Sequence, residues 1–293
     1  MANLKEIKNR ITSISSTMQI TSAMKMVSAA KLRRAQDAIE QMRPYSGKLK
    51  EILNNVSGTL DLSENAFAEE REVNNVLIIG ISSNRGLCGG FNNNITKKIN
   101  HLLLNDYADK NVKILTIGKK VNDAFKNTER NIRPEGLGTA EDIFNDLTFE
   151  RVAEHAEYAM DEFEKGGYDK VVIVYNHFKN AAIQEVIAEQ MLPIVPKNAS
   201  EDDSTSSKDY IFEPSKMEIL EDLIPKTLKL QLFKAVLDSN ASEHGARMTA
   251  MHKATDNASE LKRELTLEYN KARQAAITNE ILEIVGGAEA LNG

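Results

Sequence analysis

No glycine and no proline occurs in residues 1–43 or in residues 246–285. These two residue types are the main breakers of helices. Both ends of the 293-residue chain therefore read as uninterrupted helices. At 1.5 Å per residue each is on the order of 60 Å long, whereas an average globular helix has about three turns.

The apolar periodicity agrees. Leu4, Ile7, Ile11, Ile14 and Met18 step by three and four, which is a heptad seam. The register is expected to be lost around Met24 to Val27 and to return at Ala38, Met42, Tyr45, Leu49, Ile52 and Val56. In the C-terminal rod the seam is Met248, Met251, Thr255, Ala258, Leu265, Tyr269, Ala272 and Ala276, with Lys262 in the slot between. Both seams are rich in Ala, Thr, Ser and Met. They allow close approach but build a weaker core than Leu and Ile would.

Between the rods the pattern changes. "VLIIGI" (76–81), "VKILTIG" (112–118) and "KVVIVYN" (170–176) are short continuous apolar runs. Such runs suit parallel strands covered on both faces. Amphipathic segments alternate with them. One starts near Asn92, with Ile95, Ile99, Leu102 and Leu103 on one face. Another starts near Phe149, with Val152, Ala156, Met160 and Phe163 inward. Residues 181–194 give a further strand. The polar stretch "KNASEDDSTSSKD" (197–209) reads as a flexible surface loop. Beyond it, Ser215 and Glu218 fit a capping box, and Pro225 is expected to kink the second rod.

The fold class is α/β plus coiled coil. Long N- and C-terminal helices form an antiparallel coiled coil, and a Rossmann-like α/β domain is inserted between them. The expected bounds are a helix over 1–58, the α/β domain over 74–196, a loop and linker over 197–212, and a helix over 213–293.

Charge is uneven. Residues 1–51 hold ten Lys or Arg against four acids, so that segment is +6 while the whole chain is −6. A basic rod suits an acidic partner surface, or is simply a solvated helix face. It has almost no aromatics, which argues against nucleic acid. A single cysteine, Cys88, excludes an internal disulfide. No apolar run approaches the roughly 18 residues needed to span a bilayer.

The loop "ISSNRGLCGGFNNNI" (81–95) follows a strand and opens a helix, as a phosphate-binding turn would. It lacks both the spacing of a dinucleotide fingerprint and the Gly-Lys-Ser/Thr ending of a P-loop. Its three asparagines read as helix-start and loop residues. Cys88 reads as a small buried thiol, since no local base accompanies it. The five histidines show no metal spacing. No catalytic, cofactor or metal residues are assigned.

Three segments carry a resemblance: "ITSAMKMVSAAKLRRAQ" near the N-terminus, "SSNRGLCGGFN" in the middle, and the C-terminal run "ASEHGARMTAMHKATDNASELKRELTLEYNKARQAAITNEILEIVGGAEAL". Together they resemble the γ-subunit family of F-type ATP synthase, the central rotor shaft of a bacterial enzyme. The resemblance implies a non-catalytic subunit that couples rotation of the membrane c-ring, driven by proton flow, to ATP synthesis and hydrolysis in the β subunits. The implied partners are the α/β ring, the ε subunit and the c-ring, with no nucleic acid and with membrane association only through the complex. The implied location is peripheral, on the cytoplasmic side of the plasma membrane.

The resemblance also assigns residues. Met24 and Lys25, supported by Lys31, Arg33 and Arg34, face an acidic β-subunit loop. Arg273, Gln274, Thr278 and Glu280 contact β-subunit loops. Leu282, Ile284, Val285 and Leu291 turn within a hydrophobic sleeve. Arg85, Gly86, Leu87, Cys88, Gly89 and Gly90 form the family's loop, with a structural and interface role. The competing readings are a stand-alone nucleotide-binding α/β enzyme and a generic coiled-coil tether. The loop lacks the chemistry of the first, and the C-terminal motif is too specific for the second.

Overall fold

A computed structural model describes residues 4–57, 66–181, 183–194 and 216–292. The first long helix, α1, runs Leu4–Ser57 and the last, α5, runs Lys216–Asn292. The capping box at Ser215 lies outside the described residues. Pro44 is accommodated inside α1 and Pro225 inside α5, although each removes one backbone donor. Packing offsets that loss in α1, because Met42 and Leu49, on either side of Pro44, are both buried. Most of the stability of a protein helix comes from such packing and not from propensity.

Between the two lie β1 (Asn75–Ile81), α2 (Phe91–His101), β2 (Asn111–Ile117), α3 (Lys119–Phe125), β3 (Asn131–Ile132), α4 (Phe149–Glu164), β4 (Lys170–Phe178) and β5 (Gln184–Leu192). The sheet order is β3-β2-β1-β4-β5. The first four strands of that order are parallel, and β5 runs antiparallel to β4 at the edge. β1 is central and is buried from Val76 to Ile81. One face of the sheet (Leu77, Ile79, Ile81, Ile173, Tyr175) packs with Val152, Ala156, Met160 and Phe163 of α4 and with Ile224, Leu228 and Leu232 of α5. The other face (Val76, Ile78, Ile114, Val174) packs with Ile95, Ile99 and Leu102 and with Val121 and Phe125 of α3. Two covered faces explain why these strands read as unbroken apolar runs.

The molecule divides into two compact units, residues 1–28 with 248–293, and residues 29–247. Each long helix therefore contributes to both. The segment of α5 from Ile224 to Val236 belongs to the core of the sheet, a role that a simple two-rod reading does not draw.

The seam of α1 differs from its sequence expectation in two places. Tyr45 is 59% exposed. The buried positions instead step Leu32, Ala35, Ile39, Met42 and Leu49, which selects position 46 over 45. The register also does not break near residue 25. Thr21 and Ser28 are buried and Lys25 is half-buried, so the slots continue unbroken but hold polar residues. A pattern sought in apolar residues alone cannot see them.

Gly245 lies within α5. A Cβ there would stand 3.3 Å from the Cα and carbonyl oxygen of Ala181. Glycine allows α5 to pass close to the turn between β4 and β5.

Candidate functional site

The family loop joins β1 to α2 in the larger unit. Ser83 is fully buried. Its backbone N–H donates to Asn92 Oδ1 at 3.0 Å, and its hydroxyl lies 2.6 Å from the carbonyl of Arg85 and 2.9 Å from Asn92 Oδ1. Asn92 Nδ2 in turn donates to Cys88 Sγ at 3.1 Å. Asn92 is thus a staple across the loop, not a simple helix-start residue. Leu87 adopts a positive φ of 62°, a conformation uncommon outside glycine, and its side chain is 65% exposed.

Arg247 of α5 closes the loop from the other side. Its guanidinium donates to the carbonyls of Arg85 (3.3 Å) and Gly86 (3.2 and 3.3 Å), and to Glu243 Oε1 at 2.7 Å. Arg247 and Glu243 are both buried. Burial pushes the Glu243 carboxyl up, and Arg247 opposes that push. Cys88 and Phe91 pack on Ala246. The Cys88 thiol is 1% exposed and burial raises its pKa, so it is a poor nucleophile.

This geometry is unlike a phosphate cradle. A cradle presents free N–H groups to an anion. Here the backbone donor of Ser83 is taken by Asn92 and that of Phe91 bonds to Cys88 O, while two loop carbonyls converge on an arginine. We expect calorimetry of the purified chain with ATP or ADP to give no saturable heat below millimolar concentration. A micromolar isotherm abolished by changing Gly89 or Gly90 would overturn that reading. Among the described residues no cluster of three or more His, Cys, Asp or Glu could hold a metal ion, and no helix is long and apolar enough to cross a membrane.

The smaller unit presents a different kind of surface. In its seam Thr21 accepts a hydrogen bond from Thr255 at 2.8 Å, and Lys262 Nζ donates to Ser15 Oγ at 3.2 Å. These bonds make the helices antiparallel, and they put Leu4 opposite a residue near 272. Beyond that point α5 has no described segment of α1 beside it. Residues 273–288 are all exposed. Arg273, Gln274, Thr278 and Glu280 stand free on this stretch, followed by exposed Leu282, Ile284 and Val285. The side chain of Leu291 lies outside the described residues. Ile277 and Ile281 are also 48% and 54% exposed. By helical spacing, Gln274, Thr278, Ile281 and Val285 share one stripe, and Arg273, Ile277, Glu280 and Ile284 share the next. At the other end of the seam Met24 and Lys25 are half-buried, while Met26 and Val27 are 66% and 57% exposed.

A family model described as ATP synthase matches residues 3–291. The ATP synthase gamma chain of Christiangramia forsetii is 61% identical over 294 residues, covering the whole of both chains. The chain belongs to the ATP synthase gamma-chain family. The gamma chain of Flavobacterium johnsoniae is 60% identical, again over the full length of both. Among solved structures, a chain of the Euglena gracilis mitochondrial ATP synthase (OSCP/F1/c-ring, rotational state 3) superposes with a TM-score of 0.64 at 21% identity, covering 98% of this chain and 94% of that one. That likeness extends the agreement to the fold. As a gamma chain, the molecule is a central-stalk subunit of ATP synthase and not its catalytic subunit.

Sequence reading missed Arg247, Asn92, Ile277 and Ile281. Arg247 carried one signal, a cation inside an otherwise small-residue stretch of α5. The two isoleucines sit among residues already assigned and were masked by their polar neighbours.

Proposed function

We propose that the exposed end of α5 is the face through which shaft angle reaches the catalytic subunits. The observation that carries this is the exposure of five large apolar side chains (Ile277, Ile281, Leu282, Ile284 and Val285) on a stretch that runs past Leu4. A soluble chain that leaves such a patch uncovered uses it for binding. In this reading Arg273, Gln274, Thr278 and Glu280 hydrogen-bond to β-subunit loops, and Leu282, Ile284, Val285 and Leu291 turn inside an apolar sleeve. Apolar contacts are non-directional, so they resist rotation less than interlocking hydrogen bonds. Met24 and Lys25 meet an acidic β-subunit loop, with Met26 and Val27 beside them. The α and β subunits form the surrounding ring, and the ε subunit and c-ring engage the other unit. The complex binds the membrane peripherally, with this chain on the cytoplasmic side of the plasma membrane. In energetic terms the shaft couples its angle to nucleotide affinity at distant sites.

The seam of the smaller unit gives this reading a test. Beside Leu4, Ile7, Ile11, Ile14, Met18, Met248, Met251 and Leu265, its slots include Thr21, Lys25, Ser28, Thr255, Ala258 and Lys262. Burial contributes about 25 cal/mol per Å² of apolar surface, while ordering costs roughly 1–2 kcal/mol per residue for the backbone alone. The pair of helices is therefore marginal by itself. Amide exchange over residues 4–30 and 248–285 is expected to be fast in the free chain and strongly slowed once α and β subunits surround it. Equal protection in both states would show that the shaft needs no sleeve.

A further inference from the structure

We propose that a two-sided polar clamp in the larger unit stops α5 from turning about its own axis, and that Gln231, Asp238 and Ser242 are positioning residues through which torque on this unit reaches the shaft. This rests on the shaft reading above.

The embedded stretch of α5 changes character along its length. Up to Val236 the stripe facing the sheet carries Ile224, Leu228, Leu232 and Val236, all part of the core. Large side chains of this kind interlock with their neighbours. Beyond Val236 the stripe continues by helical spacing through Ser239 and Ala246, which are small and buried. They give the sheet little shape to grip, and Ser239 Oγ has no hydrogen-bond partner among the described residues. Apolar contact is non-directional. On this stretch, resistance to turning comes from bonds that have direction.

Such bonds lie on both flanks of the stripe. On one flank Gln231, Asp238 and Ser242 step by seven and four. Gln231 Nε2 donates to Glu189 Oε1 at 2.8 Å and to the carbonyl of Gln190 at 3.1 Å, both on β5. Asp238 Oδ2 accepts from His177 Nδ1 at 2.7 Å, and Ser242 Oγ donates to the carbonyl of Asn176 at 3.0 Å, both on β4. Asp238 and Ser242 are buried. On the other flank stand Lys229 and Arg247, five whole turns apart. Lys229 Nζ pairs with Glu157 of α4 at 2.5 Å, and Arg247 holds the carbonyls of Arg85 and Gly86. Seen along the helix, Ser242 and Arg247 are about 140° apart. A turn of α5 in either sense therefore lifts one flank away from its partners. A polar atom about 5 Å from the axis moves roughly 1.7 Å in a turn of about 20°, which takes a bond of ordinary length beyond hydrogen-bonding distance. A clamp that holds in both senses suits a shaft that is driven in one direction for synthesis and in the other for hydrolysis.

A bead on a cysteine replacing exposed Asp109 reports the angle of the larger unit, since Cys88 is buried. The full chain is assembled with α and β subunits, and these are fixed to a surface. While the enzyme pauses between steps, the variance of the bead angle is inversely proportional to the torsional stiffness of the shaft. The double variant Asp238→Ala, Ser242→Ala is expected to raise that variance by roughly half or more. Ser242→Ala alone removes a single hydroxyl and is expected to raise it less. Asp238→Asn keeps an acceptor for His177 and is expected to match the native chain. Leu228→Val weakens the core in urea unfolding without touching the clamp, and is expected to leave the variance at its native value. No rise in the double and single variants overturns the clamp. So does a rise in Asp238→Asn or in Leu228→Val equal to that of the double variant. Failure of the shaft reading shows separately, as a bead on the otherwise native chain that never turns.

Discussion

Changing Arg273 and Gln274 together to alanine is expected to lower ATP hydrolysis and ion-driven synthesis by the assembled enzyme at least several-fold, with folding and assembly intact. Both residues are exposed on α5 past the end of the described α1, so neither supports the chain's own packing. Alanine preserves helix propensity. Across an interface a hydrogen bond to a charged group is worth roughly 1.5–3 kcal/mol, and each 1.36 kcal/mol is about tenfold in rate. The comparison that gives the result meaning is a double alanine change at Glu268 and Lys271. These are also exposed but flank the seam residues Tyr269 and Ala272. Equal impairment by the two pairs, or no effect of either, would show that the contact face is wrongly placed.

Arg247→Met is expected to destabilise the larger unit by about 3–5 kcal/mol at neutral pH, because it leaves a buried carboxylate without its partner. The change also removes the donor that meets the carbonyls of Arg85 and Gly86. The loss has a defined pH dependence. Glu243 is pushed up in the folded chain by burial, with Arg247 pulling the other way. A carboxyl raised on folding loses stability as pH rises from its unfolded value through its folded one. Without Arg247 the upward push is less opposed, so the gap between variant and native chain widens from about pH 4 to pH 7. Urea unfolding followed by circular dichroism measures it. The double change Arg247→Met, Glu243→Gln is expected to recover part of the loss. A gap that does not vary with pH, or a double variant no better than the single one, would show that Glu243 is not the group left stranded.

Both rods and the central strands were legible because their signals are local. Breaker-free runs and heptad steps define α1 and α5, and continuous apolar runs define β1, β2 and β4. The helix faces at Ile95 and Ile99, and at Val152, Ala156, Met160 and Phe163, read correctly for the same reason. What escaped was set by tertiary contact. α3 and β3 are too short for periodicity to show. The choice of Leu49 and Met42 over Tyr45 depends on the register of the whole helix. The polar slots at Thr21, Lys25 and Ser28 imitate a lost register. The role of α5 in the sheet's core is visible only once Ile224, Leu228 and Leu232 meet α4 and the strands. At the loop, the missing phosphate chemistry was evident from residue types. The reason the loop holds its shape was not, because Arg247 lies far from it in sequence (160 residues from Leu87).

Rotation of the chain inside its ring tests the central claim most directly. Asp109 is exposed in the larger unit, and a cysteine placed there can carry a bead, since Cys88 is buried. With the α and β subunits fixed to a surface and ATP supplied, the bead is expected to turn in one direction, pausing once per β subunit in each revolution. ATP hydrolysis at the full rate with the bead motionless, or wandering without direction, would contradict the assignment of this chain as the shaft.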